Sequence, residues 1–118
     1  MAKYFFTAQY TSGSWARLVK GCDDRATTVR SLIEALGGSL DLIYWGASTC
    51  TVHAIADLPD VITAKAVVNT VVGTGAVTNV EATELLSQEQ LSDTLLLARS
   101  AQESYDAPGM SAVEPTYQ

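Results

Sequence analysis

The chain contains one histidine, His53, and two cysteines, Cys22 and Cys50. An imidazole has a reference pKa of ~6.5 and is the side chain best suited to move protons near neutral pH. His53 therefore heads the candidate catalytic groups. The competing interpretation is a packed strand histidine with one ring nitrogen bonded to a neighbour. Cys50 lies three residues before His53. On a strand an odd offset puts two side chains on opposite faces, so a direct thiol–imidazole pair fails unless a bulge intervenes. By itself Cys50 behaves as a small hydrophobe more often than as a nucleophile. Asp57 shares the face of His53 but lies about 13 Å away along an extended strand, beyond hydrogen-bond reach.

Partners for His53 must then come from other strands. Thr7 and Gln9 offer a hydroxyl and an amide, and Glu81 and Thr83 offer a carboxylate and a hydroxyl. Glu81 sits between Val80 and Ala82, which suits either a carboxylate facing a cavity or a solvated charge on an edge. Phe5, Tyr44 and Trp45 can wall a pocket, and ordinary core packing accounts for the same residues. The candidate set is His53 and Glu81 for acid–base chemistry, with Thr7, Gln9, Trp45, Cys50 and Thr83 for ligand contact. A single histidine rules out a His-rich metal site within one chain. Copies of His53 could still meet at an oligomer axis. No cofactor is expected. Gly73-x-Gly75 precedes a strand, so it is not a dinucleotide fingerprint. Ser12-Gly13-Ser14 lacks phosphate-loop spacing and reads as a cap that could also hold an anion.

The elements that must position these groups follow from the apolar spacing. Lys3–Tyr10 reads as a strand, and Trp15–Lys20 as a short helical segment. Asp23 and Asp24 cap a helix whose stripe is Ala26, Val29, Leu32, Ile33 and Leu36, ended by Gly37-Gly38. Ser39–Trp45 is a strand with Leu40, Leu42 and Tyr44 on one face, and Asp41, Ile43 and Trp45 on the other. Gly46-Ala47-Ser48 turns the chain into a third strand, Cys50–Leu58. Pro59 suits the first turn of the next helix, and Asp60 suits its positive end. That helix carries Val61, Ala64, Val68, Val71 and Val72 on its stripe, with Gly73 and Gly75 closing it. Ala76–Leu86 is a fourth strand. Ser87-x-x-Gln90 is a capping box, with Leu86 and Leu91 as its hydrophobic staple. The last helix runs to about Tyr105.

The order βαββαβα predicts an α+β, ferredoxin-like βαββαβ domain with an extra C-terminal helix and one four-stranded antiparallel sheet. Residues 1–105 form the domain. Residues 106–118 read as a tail, either disordered or docked on a neighbouring subunit. Phe5, Ile43, Trp45 and Ile55 suggest that both sheet faces carry apolar groups, so a second sheet is expected to pack there in a homodimer or higher homo-oligomer.

With 118 residues, 47% of them hydrophobic, the chain can bury a core without disulfides. Its net charge is −6. Residues 1–56 hold five basic and four acidic side chains, and residues 57–118 hold two basic and nine acidic ones. Such a surface repels phosphate backbones and anionic bilayers, so neither nucleic acid nor membrane is an expected partner. The cysteine spacing forms no CxxC and suits reduced thiols in a cytoplasm. Neither a signal peptide nor a membrane span is read in the sequence.

KYFFTAQYT, RSLIEALGGSLDLIYW, Ala56-Asp57-Leu58-Pro59-Asp60 and TELLSQEQL together resemble the GYD-domain family of small bacterial proteins, over roughly residues 2–105. The resemblance implies a dimeric α/β-barrel assembly in which two ferredoxin-like sheets pack face to face. The glycine-x-tyrosine-aspartate positions that name the family fall on Ser48, Cys50 and Thr51. All three are replaced, so no role of a tyrosine phenol or aspartate carboxylate carries over. The functional expectation is a homo-oligomer that binds a small organic molecule in a sheet–helix cavity. Such a protein could be a cofactor-free enzyme with His53 as acid–base or hydrogen-bonding group. The alternative is a non-catalytic assembly or protein-interaction module.

Overall fold

The computed structural model describes residues 1–109. The elements are β1 (Ala2–Tyr10), α1 (Ser12–Gly21), α2 (Arg25–Ala35), β2 (Ser39–Trp45), β3 (Thr51–Leu58), α3 (Val61–Gly73), β4 (Val77–Leu85) and α4 (Gln88–Ala101), then a 3-10 turn at Gln102–Ser104. The four strands form one antiparallel sheet in the order β2-β3-β1-β4, the ferredoxin-like order. Two compact units are present: Met1–Leu85, and a second beginning at Leu86. In the second unit Ser87 and Gln90 form the expected capping box. There α4 buries none of its residues, and Leu95, Leu96 and Leu97 are exposed. Most of the expected tail, residues 110–118, lies outside the described residues.

The sheet's inner face is set by simple alternation. Tyr4, Phe6, Ala8 and Tyr10 of β1 are buried, as are Ala54, Ala56 and Leu58 of β3. Ile33 from α2 and Ala64, Val67 and Val68 from α3 complete the main cluster. The α3 stripe is rotated slightly from expectation. Val67 faces inward, while Val61 and Val72 are exposed. Pro59 also stands one residue outside the helix, because Asp60 is the N-cap.

The first helical segment is longer than its apolar pattern suggests. It starts at Ser12 because Thr11 Oγ1 accepts from Ser14 N at 3.1 Å. Ser14 Oγ donates to the Ala76 carbonyl at 2.8 Å, which ties α1 to the approach to β4. The cap is therefore Thr11, and Ser12-Gly13-Ser14 form the first turn of the helix.

A bulge in β2 corrects the expected face assignment. Leu40 pairs with Ala56 and Leu42 with Ile55, so Asp41 is extra. Leu40 therefore packs on the core, whereas Leu42 and Tyr44 face the opposite side. A second irregularity lies between Thr7 and Gln9, opposite Asn79 of β4, whose φ is +51°.

Three aspartates have carboxyls held below their usual range. Asp24 is stabilised by the Thr27 hydroxyl and then its N–H, Asp41 by Lys3, and Asp60 by the Thr63 N–H and then its hydroxyl. The unfolded chain binds more protons near pH ~4, so this stabilisation is complete above the unfolded value and is lost as pH falls through the lower folded values. Asp60→Asn should make the acid limb of the urea midpoint shallower between roughly pH 5 and 2, compared with wild type.

Candidate functional site

The sheet presents two unlike faces. On the helix side, a cavity of about 280 Å³ opens between the sheet, α2 and α3. Its walls include Phe6, Val29, Ile43, Ala54, Val67 and Val71. Few polar groups reach it. Arg25, Tyr10, Thr28, Thr70 and Thr74 are those present. The three threonine hydroxyls donate to the carbonyls of Asp24, Ala66 and Val71, respectively, at 3.3, 2.8 and 2.7 Å.

Arg25 is the first residue of α2, next to the Asp24 cap. Its Nη1 donates to Asp23 at 3.4 Å. Its Nε is shut off from solvent and has no hydrogen-bond partner among the described residues. Partial burial opposes the guanidinium charge, but the Tyr10 hydroxyl and Asp23 outweigh it and leave the pKa raised. Arg25 also lines a neighbouring, more open cleft with Trp15, Leu18, Asp23, Asp24, Ala26 and Trp45. The buried Trp15 Nε1 likewise has no partner among the described residues. Its indole meets Tyr10 edge-on at 5.3 Å and 74°.

His53 lies on the other face. Its Nε2 is 3.1 Å from Thr51 Oγ1, which is 2.6 Å from Thr49 Oγ1. The ring stacks on Phe5 at 6.2 Å and 9°. Register brings several candidates into one row: Tyr44 pairs with His53, His53 with Thr7, and Thr7 with Glu81. Glu81 is thus two strands from His53, about 10 Å in the hydrogen-bonding direction. The next row is Leu42, Ile55, Phe5 and Thr83. Gln9 accepts from Asn79 at 3.1 Å.

Two placements correct the sequence-based expectations. His53 does not line the sheet–helix cavity, because its neighbours Val52 and Ala54 do and alternation sends His53 the other way. Trp45 pairs with Val52 and so belongs to the helix side, away from His53. Cys50 precedes β3 and is exposed, with its carbonyl accepting from Tyr10 N at 2.8 Å. Among the described residues there is no group of three or more His, Cys, Asp or Glu side chains placed to hold a metal ion. Nor is any described helix long and apolar enough to cross a membrane.

Sequence reasoning passed over Arg25. A signal was present. A cation in the first turn opposes the helix dipole, so a basic residue there calls for a separate reason.

The replaced family positions Ser48, Cys50 and Thr51 fall at the β2–β3 turn and the start of β3. Gly46 permits that turn, since a Cβ there would lie 2.1 Å from Thr49 Oγ1 and 2.6 Å from Thr51 Oγ1. Gly46→Ala should therefore disturb the hydroxyl chain to His53, seen as shifted His53 ring resonances with the core methyl resonances retained. No curated protein matches the chain. The family model for the GYD domain matches residues 4–95, a span containing all of the sheet but the first two residues of β1, both walls of the cavity and the His53 row, and the chain belongs to the GYD-domain family.

Proposed function

We propose that this protein binds a small organic molecule in the cavity between its sheet and helices α2 and α3. The supporting observation is the cavity itself: about 280 Å³, walled by aliphatic and aromatic side chains, with a few polar groups. Small-molecule sites have this character. A cavity of about 150 Å³ in another protein takes up benzene, so a two-ring molecule is an appropriate occupant here. Naphthalene is the direct probe. Adding it should shift the methyl resonances of Val67, Val71 and Ala54, and Ala54→Phe should abolish the shifts while keeping the fold. His53→Ala should leave binding unchanged. No shifts, or shifts confined to Ile55 on the opposite face, would overturn this reading.

A second reading concerns that opposite face. Tyr44 is 68% exposed and Leu42 40% exposed, beside Phe5 and Ile55. An apolar sheet face of this kind favours self-association, with the His53–Thr7–Glu81 row inside the homo-oligomer. Any acid–base or hydrogen-bonding role of His53 and Glu81, with Thr7, Gln9 and Thr83 nearby, then belongs to that interface. The cavity ligand is bound separately. The acidic second half and tail offer a further surface for protein contact.

A further inference from the structure

We infer that the cavity's occupant is an amphiphile, polar at one end only, held with that end between the start of α2 and the end of α3 and with its apolar body toward Ile33 and Val67. The inference rests on the cavity being the ligand site and adds the ligand's chemical class.

Polarity is distributed unevenly along the cavity, and the topology fixes which end is which. Tyr10, the last residue of β1, pairs with Val77, the first of β4. Helix α3 leads into β4 and so finishes at this end. Helix α2 starts here, since Arg25 shares a cleft with Trp15, whose indole packs edge-on against Tyr10. At the far end α2 runs into Gly38, which lies against Asp57 and Leu58, and Leu58 pairs with Ala2 at the start of β1. The polar lining residues all belong to the Tyr10 end. Arg25 and Thr28 are in the first turn of α2, Thr70 is in the last turn of α3, and Thr74 is its C-cap. The three threonines are also the lining residues that are exposed to solvent. Toward the other end the lining is Phe6, Leu32, Ile33, Val67 and Val68, all apolar and all but Leu32 buried. A ligand hydroxyl beside the threonines keeps water or a hydroxyl partner. The same group beside Ile33 and Val67 loses water and gains no partner among the described side chains, which is costly. A cavity of about 280 Å³ has room for roughly ten carbon atoms, on the scale of the ~150 Å³ cavity that takes up benzene.

Two isomers of one formula test this: 1,2-octanediol, with both hydroxyls at one end, and 1,8-octanediol, with one at each end. Calorimetric titration of the full chain should show 1,2-octanediol binding at least about tenfold more tightly, after correction for each compound's water–octanol partition, the scale of one buried and unpaired hydroxyl. Val67→Thr keeps the side-chain shape and adds a hydroxyl at the apolar end. It should strengthen 1,8-octanediol and leave 1,2-octanediol unchanged, with circular dichroism checking that it folds. The wild-type comparison stands whether or not it does. Equal corrected affinities in wild type, or tighter binding of 1,8-octanediol, would overturn the one-ended assignment, as would a gap that the folded Val67→Thr variant leaves unchanged. Binding of naphthalene with neither diol bound would overturn the amphiphile and leave the cavity reading intact. Failure of both diols and of naphthalene would remove the cavity reading itself.

Discussion

Gly38→Ala should destabilise the protein by about 2–4 kcal/mol, read as a lower urea midpoint with an unchanged slope. Helix α2 ends in a Schellman arrangement. Gly37, at φ +85°, donates to the Glu34 carbonyl at 3.0 Å, and Gly38 N donates to the Ile33 carbonyl at 3.0 Å. The chain then passes directly against β3. A Cβ on Gly38 would stand 2.2 Å from the Asp57 carbonyl oxygen, 2.7 Å from Leu58 Cδ2 and 3.2 Å from Ile33 Cγ2. The first of these is backbone in a central strand and cannot move without breaking the ladder. Leu58 and Ile33 are the largest fully buried side chains, so neither can step aside. Gly73→Ala is the matched control. Its Cβ would meet nothing within 4 Å, and the site is the last residue of α3. There the change should raise stability by up to about 1 kcal/mol, since alanine loses less backbone entropy in a helix. Two glycine substitutions with opposite signs would confirm that close approach, and not glycine content, fixes the α2–β2 connection.

The second large effect is expected on self-association. If the outer sheet face joins two copies, Leu42→Glu with Tyr44→Glu should weaken the dimer at least ~100-fold, measured by sedimentation across a concentration series. Both residues lie on β2, in the rows of Ile55 and His53. In a two-fold interface each substitution acts twice, so four carboxylates enter an assembly of chains that each carry a net charge of −6. Ile62→Glu is the control, because Ile62 is 76% exposed on α3 and away from the sheet. It should leave association unchanged. A wild type that stays monomeric at high concentration, or a double variant that associates as well as wild type, would reject this face as the interface. The naphthalene experiment would be unaffected in either case, because the cavity lies on the other side of the sheet.

The sequence by itself determined the elements and their order. Residue content and alternation marked β1 and β3 as strands, helical spacing marked α2, and the Asp24 and Ser87 caps fixed two helix starts. These signals are local. Each depends on residues within a turn or two, and so they survive without knowledge of what packs where. Strand alternation also made clear that Cys50 and His53 do not form a simple pair.

Only the tertiary structure decided which groups share a space. One extra residue at Asp41 reversed the face of Leu40 relative to Leu42, and no local pattern announces a bulge. Antiparallel register placed Thr7 between His53 and Glu81, a relation between residues far apart in the chain. The assignment of faces to helices and to open sheet moved His53 out of the cavity and Trp45 away from His53. Arg25 gained its significance for the same reason. In sequence it is a charge at the start of a helix. In the fold, α2 lies over the sheet, so that the Arg25 guanidinium borders an apolar cavity with one N–H unmatched. A donor lacks a partner only with respect to everything around it, and that is a property of packing.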